Sequence, residues 1–146
     1  MDITQADISA KPVLFREASA WGRIRLKPET VRRVRDGRLA KGDALTIAKT
    51  MAVVAGKKTP DMLALCHPLR LESTKVETKL NRDSIEVTVS VTAHEKTGVE
   101  MEALTAVSVA LLNIWDVVKA YEKDAQGQYP STRIEEIRVV KKVKHE

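Results

Sequence analysis

Asp116 and Lys119 stand three residues apart, directly after Ile114-Trp115 in the most apolar part of the chain. That spacing places a carboxylate and an ammonium on one helix face, where they can pair. On an exposed face such a pair is worth under about 1 kcal/mol. A partly desolvated lysine has a lowered pKa and can transfer protons, which makes the pair a candidate acid–base centre. Lys41, just before Gly42-Asp43 at a helix start, is a second candidate lysine. Cys66-His67 lies between Pro60 and Pro68, in a loop that the prolines stiffen. Adjacent side chains in an extended loop diverge, so these two make no thiol–imidazole dyad of their own. For His67 the plain alternative is a structural hydrogen bond. His94 and His145 add no zinc-ligand spacing, so no metal site is expected.

Thr97-Gly98-Val99-Glu100 fits a capping box, with Thr97 as N-cap and Glu100 at the third helical position. Glu102 has no such structural reason. Lys96 and the free N–H groups of the same helix start form a generic anion site. The carboxylate pair suits hydrogen bonding to a cationic or amide-bearing ring instead. Two tempting matches fail. Gly56-Lys57-Lys58-Thr59 has Met51 and Lys58 where a phosphate-binding loop needs Gly and Ser/Thr. Lys96-Thr97-Gly98 has no accompanying S-x-x-K.

The elements that must carry these residues are readable from periodicity. Residues 1–14 have none and are expected to be a flexible lead-in to a single domain over 15–146. Phe15 to Leu26 alternates as a strand. Pro28 opens a short helix that Gly37 closes. Gly42-Asp43 starts a second helix, expected to stop at Gly56. Leu69, Leu71, Val76 and Leu80 belong to one strand, and Ile85 to Val91 forms another, joined by the turn Asn81-Arg82-Asp83. Val99 to about Asp124 is a long amphipathic helix, and Arg133 to Val143 a final strand. The order β-α(α)-β-β-α-β is the split βαβ of an α+β, ferredoxin-like fold, with helices packed on one face of a four-stranded antiparallel sheet. The other face would need covering, which points to an oligomer.

The 146 residues suit one domain, and 43% hydrophobic with 31% charged residues excludes a disordered chain. The single cysteine excludes an internal disulfide and fits a reducing compartment, so a cytoplasmic protein is expected. No apolar leader is visible. The apolar stretch Ala103 to Trp115 is interrupted by Thr105, Ser108 and Asn113 and is too short to span a membrane. The net charge of +5 admits nucleic acid, an acidic membrane or a phosphorylated small molecule. Its location narrows this, because Arg23 to Lys41 holds eight basic residues against two acidic ones. Glu100 and Asp116, sixteen residues apart on one helix, lie roughly 24 Å from each other at 1.5 Å per residue. Either one end is functional, or two chains build the site together.

Lys41-Gly42-Asp43, Ala55 to Thr59, Leu65 to Leu69, Lys96 to Ala106 and Trp115 to Ala120 together resemble the molybdenum cofactor biosynthesis protein C family, the cyclic pyranopterin monophosphate synthases. The resemblance runs from about Phe15 to Val143, and its Thr-Gly-Val-Glu-Met-Glu-Ala-Leu-Thr stretch is highly specific. It implies a ferredoxin-like lyase that converts a cyclised dihydro-GTP into cyclic pyranopterin monophosphate and releases diphosphate. It further implies a homohexamer, a trimer of dimers, with the active site at the dimer interface and neither nucleic acid nor membrane as partner. No cofactor is required; Mg²⁺ enters only with the substrate triphosphate. Carried onto this chain, Asp116, Lys119 and Lys41 are catalytic. Leu65, Cys66, His67, Glu100, Met101 and Glu102 bind substrate, and arginines of Arg23–Arg38 hold the outgoing phosphates. The family's glycine-rich tail is replaced here by Val140 to Glu146, and the Lys123–Thr132 turn is longer. The rivals are an RNA-binding ferredoxin-like domain and a purely structural oligomerising module. Aromatic residues at 3% and the lack of a ribonucleoprotein motif weigh against RNA.

Overall fold

A computed structural model describes all 146 residues. Eight elements follow one another: β1 (Leu14–Arg25), α1 (Pro28–Asp36), α2 (Ala44–Lys57), α3 (Thr59–Met62), β2 (Ser73–Leu80), β3 (Ser84–Glu95), α4 (Glu100–Glu122) and β4 (Arg133–His145). The strands form one antiparallel sheet in the order β2-β3-β1-β4, as a ferredoxin-like fold requires. Period-two alternation turns Ala18, Ala20 and Ile24 of β1 and Val87, Val89 and Val91 of β3 toward the helices. There they meet Ala103, Ala106, Val107, Ala110, Leu111 and Ile114 of α4 in one core. By length and hydropathy α4 could cross a membrane, but half of its most apolar window is buried inside the domain. Ala44, Ala48 and Ala52 recur every fourth residue on α2 and are fully buried, so α2 and α4 pack through small side chains.

Several boundaries differ from the sequence expectation, each for a local reason. Helix α2 continues through Gly56 to Lys57; a Cβ at Gly56 would find Leu71, the Glu102 carbonyl and Ala106 at 3.7–4.0 Å, so this glycine marks close helix approach. Strand β2 starts at Ser73; upstream of it the Arg70 N–H donates to the Glu95 carboxylate (2.9 Å). Leu69 and Leu71 still pack on the core from the loop. Helix α4 has Val99 at its N-cap and no side-chain cap, so Thr97 and Glu100 form no capping box. Helix α1 begins at Pro28 and ends at Gly37, whose φ of 70° is the left-handed cap that favours glycine. Its N-terminus is capped from afar: the fully buried Glu122 carboxylate accepts from the Lys27 N–H (3.1 Å), from the Thr30 hydroxyl and from the Thr132 hydroxyl (2.7 Å).

The sheet's second face is predominantly polar. Ser19 and Ser90 hydroxyls share a hydrogen bond of 2.7 Å, and the Trp21 indole donates to Glu86 (2.8 Å). Glu135 takes Arg23 and Arg25, both at 2.7 Å, and Lys141 pairs with Glu17. Those guanidiniums, Arg23 first, hold the Glu135 carboxyl down at about 2. This face therefore suits water and does not by itself call for a covering partner.

The approach of α4 to β1 is close at Gly22. A Cβ there would stand 2.9 Å from Ile137 Cγ1, 3.0 Å from Leu111 Cδ1 and 3.1 Å from Val107 Cγ1. Gly22→Ala is expected to cost about 1–3 kcal/mol by overpacking, read as a lowered urea midpoint with an unchanged m-value. An unchanged midpoint would show that the helix can lift without cost.

Candidate active site

Helix α4 carries two groups of functional side chains, one near each end. At the C-terminal end Lys41 and Lys119 converge on a single oxygen of Asp116: their Nζ atoms lie 3.2 and 3.1 Å from Oδ1. Lys41 Nζ also donates to the Asp116 carbonyl at 3.0 Å. The sequence placed Asp116 and Lys119 together through helix geometry; the fold adds Lys41 from the loop before α2. Hydrogen bonds from Lys119 first, then Lys41, hold the Asp116 carboxyl below its usual range. The hydrogen bond that Lys119 donates to Asp116 raises Lys119 in turn. The desolvated lysine of lowered pKa is therefore not what this chain presents, because the Asp116 side chain is 61% exposed and pairing outweighs burial. Beside the cluster, Leu112, Trp115 and Tyr129 complete an open hollow of about 370 Å³. Tyr129 comes from the long turn after α4 and meets Trp115 edge-on at 5.2 Å.

At the N-terminal end a cavity of about 510 Å³ is lined by Leu65, Cys66, His67, Glu100 and Met101, with Thr97 and Gly98 between them. Cys66 and His67 do diverge. The thiol turns inward and donates to Glu102 Oε2 at 3.6 Å, while His67 Nε2 turns out to the Ala6 carbonyl at 2.8 Å. A carbonyl only accepts, so Nε2 carries the proton and a neutral ring keeps Nδ1 as acceptor. Glu102 is 2% exposed and absent from the cavity wall; it reaches a ligand only through Cys66. Its Oε1 is buried with no hydrogen-bond partner.

The two carboxyl groups of this end are driven apart. Burial pushes Glu102 up, and its hydrogen bonds do not compensate. Burial also opposes Glu100, but the hydrogen bond from Lys142 at 2.7 Å, with Arg16 nearby, brings Glu100 below its usual value. Such a split favours a proton on Glu102 and a charge on Glu100. Lys142 lies in the strand that replaces the glycine-rich tail.

Sequence reasoning missed two contributors. Residues 1–13, expected as a flexible lead-in, contain no helix or strand but lie against the cavity and supply Ala6, Asp7, Ile8 and Lys11 to its wall. Gln5 donates to the Cys66 carbonyl (3.4 Å) and Lys96 Nζ to the Ser9 carbonyl (3.1 Å), which engages the lysine expected at an anion site. Arg16, 5% exposed, donates to the carbonyls of Glu95 and Lys96 at 3.2 Å and so holds the turn that enters α4. Its inward parity with Ala18 and Ala20 was a legible signal for a buried cation.

The basic stretch Arg23–Lys41 does not form one cradle. Arg23 and Arg25 are spent on Glu135, Arg38 pairs with Asp36, and Arg33 lies over Tyr121. Arg32 and Arg35 instead join Arg82 around a separate hollow.

A ferredoxin-like domain with an acid–lysine centre and a carboxyl-lined cavity on one helix is thus the class the geometry defines. The family model described as "MoaC family" matches residues 5–145. Proteins named "Probable cyclic pyranopterin monophosphate synthase" are similar over nearly their whole length. That of Sulfurisphaera tokodaii is 52% identical over 94% of this chain and 91% of its own. That of Pyrococcus abyssi is 52% identical over 97% and 89%, and that of Thermococcus kodakarensis 53% over 99% and 92%. The chain belongs to the MoaC family.

Burial first, and then the Glu102 carboxylate, push the Cys66 thiol up to about 11. Alkylation of Cys66 is therefore expected to rise only as pH approaches that value. Glu102→Gln removes the smaller cause, so the midpoint falls yet stays above that of an ordinary thiol. A midpoint indifferent to Glu102→Gln would refute the thiol–carboxylate contact.

Proposed function

We propose that the protein is a cyclic pyranopterin monophosphate synthase, a lyase of molybdenum cofactor biosynthesis. Its substrate is the cyclised dihydro-GTP, 3′,8-cyclo-7,8-dihydroguanosine 5′-triphosphate, and its products are cyclic pyranopterin monophosphate and diphosphate. The observation that carries this reading beyond kinship is the sharing of Asp116 Oδ1 by two lysines beside an open hollow. The triad holds one net positive charge where a phosphoryl group must lose a polyanionic leaving group.

In this reading a substrate hydroxyl attacks the α-phosphorus and releases its proton to solvent in the open hollow, the bond to diphosphate breaks, and the ammoniums of Lys41 and Lys119 neutralise the charge that develops. Lys119, with its raised pKa, serves as an acid toward the ring nitrogen rather than as a base, while Asp116 orients it. The ring system occupies the cavity of Leu65, Cys66, His67 and Met101, with the Glu100 carboxyl held low by Lys142 and the Glu102 carboxyl raised by burial beneath Cys66.

The two centres are roughly 24 Å apart along α4, too far for one small molecule. We therefore propose that the cavity of one subunit faces the Asp116 cluster of another, in a homohexamer built as a trimer of dimers. The protein is proposed to work in the cytoplasm without a resident cofactor, Mg²⁺ entering only with the triphosphate. Against RNA binding, the outward sheet face offers few stacking platforms, and Trp21 is already flanked by Arg23 and Arg138.

Incubated with the cyclised GTP intermediate, the protein should release diphosphate and a pyranopterin. Asp116→Asn and Lys119→Ala should each lower kcat by about 10²–10³-fold, the scale of a lost acid–base partner. Near-normal turnover by either variant would overturn the assignment, and no turnover by the folded wild type would overturn the function.

A further inference from the structure

Lys41 reaches Asp116 from a loop, residues 37–43, that has no helical or strand ladder to hold it. Something must fix its last stretch. The loop leaves α1 through the left-handed Gly37, and it enters α2 at Asp43, whose carboxylate accepts from the N–H groups of Leu45 and Thr46. Between these anchors the backbone N–H of Ala40 donates to the hydroxyl of Tyr121 at 2.9 Å. Ala40 precedes Lys41, and Tyr121 stands on α4, the helix that carries Asp116 and Lys119. The ring of Tyr121 is fixed as well: the Arg33 guanidinium lies 4.5 Å from its centroid, and the same Arg33 donates to the Arg38 carbonyl at 3.3 Å. Lys27 Nζ donates to the Tyr121 carbonyl at 3.4 Å.

We infer that Tyr121 is a positioning residue for the acid–lysine centre, its hydroxyl pinning Ala40 to α4 so that the Lys41 ammonium is held on Asp116. The inference rests on the functional reading above and names a group that reading does not use. Without the hydroxyl the Ala40 N–H turns to water, and Lys41 samples positions away from Asp116 on a long, flexible side chain. Leu39 of the loop packs on the core, but the Lys41 and Asp116 side chains are both exposed and have no packed wall of their own. Aligned groups lose rate steeply when displaced, which makes one backbone hydrogen bond count in turnover more than in stability. The charged groups that face the Asp116 carboxylate are Lys41 from the loop and Lys119 from α4, with Tyr129 near Lys119 from the following turn.

Tyr121→Phe keeps the ring under Arg33 and removes only the hydroxyl. It is expected to lower kcat about tenfold with KM within about twofold. In a Lys41→Ala background the same change should have no further effect, since the group it positions is gone. Titration of the Asp116 carboxyl by NMR supplies a readout independent of turnover. Its midpoint should rise in Tyr121→Phe, because one of its two ammonium partners is loosened, and should not move when Tyr121→Phe is added to Lys41→Ala. An equal loss of activity in both backgrounds, or an Asp116 titration unmoved by Tyr121→Phe in the otherwise wild-type protein, would overturn the inference. If the folded wild type shows no turnover, the functional reading falls, while the titration still decides whether Tyr121 holds Lys41.

Discussion

The close seating of α4 on the sheet is the constraint on which the rest of the molecule depends. Gly22 of β1 lets the helix down to where a single added methyl would strike three side chains, and the alanines of α2 bring a second helix against its flank. A helix held that tightly over twenty-three residues is a rigid ruler. Glu100, Met101 and Glu102 sit at one end of it and Asp116 and Lys119 at the other. Their separation is therefore a fixed dimension that loop motion cannot close. Loops and strand ends then bring complementary groups to each end: Cys66 and the N-terminal segment to the first, Lys41 to the second.

The two ends are tuned by opposite physical means. At the cavity end burial dominates, lifting Glu102 and the Cys66 thiol toward their neutral forms while Lys142 keeps Glu100 ionised. At the far end exposure leaves charge–charge pairing in control, and Asp116 and Lys119 stabilise each other's ionised forms. A neutral, hydrogen-bonding pocket suits a heterocycle; an ionised, cationic cluster suits phosphate. One small domain thus holds recognition chemistry and phosphoryl chemistry at opposite ends of one rod, and a second copy is the economical way to bring them together.

Much of this was legible from the chain because it is local. The unbroken alternation of β3, the Pro28 start and Gly37 stop of α1, and the apolar period of α4 each follow from one segment's own pattern. The Asp116–Lys119 pair follows from helix pitch alone. What escaped is non-local. Residues 1–13 have no periodicity because contacts with remote loops fix their position: the His67 ring meets the Ala6 carbonyl, Lys96 donates to the Ser9 carbonyl, and Gln5 reaches out to the Cys66 carbonyl. The loop before β2 is tied at Arg70 to a carboxylate twenty-five residues away at Glu95. Lys41 meets Asp116 across seventy-five residues, through a tyrosine that no motif marks. The basic run misled in the opposite sense, since charge totals do not show which arginines the fold neutralises.

The central claim, that each site joins the cavity of one subunit to the Asp116 cluster of another, has a direct test. Asp116→Asn and His67→Ala chains, each impaired alone, are unfolded together, refolded as a mixture and assayed for diphosphate release. If two chains share each site, mixed dimers regain one intact site. Random pairing should then restore about a quarter of the wild-type rate, because half the isologous dimers are mixed and each has one working site of two. Activity no higher than the sum of the separately refolded variants would contradict the account.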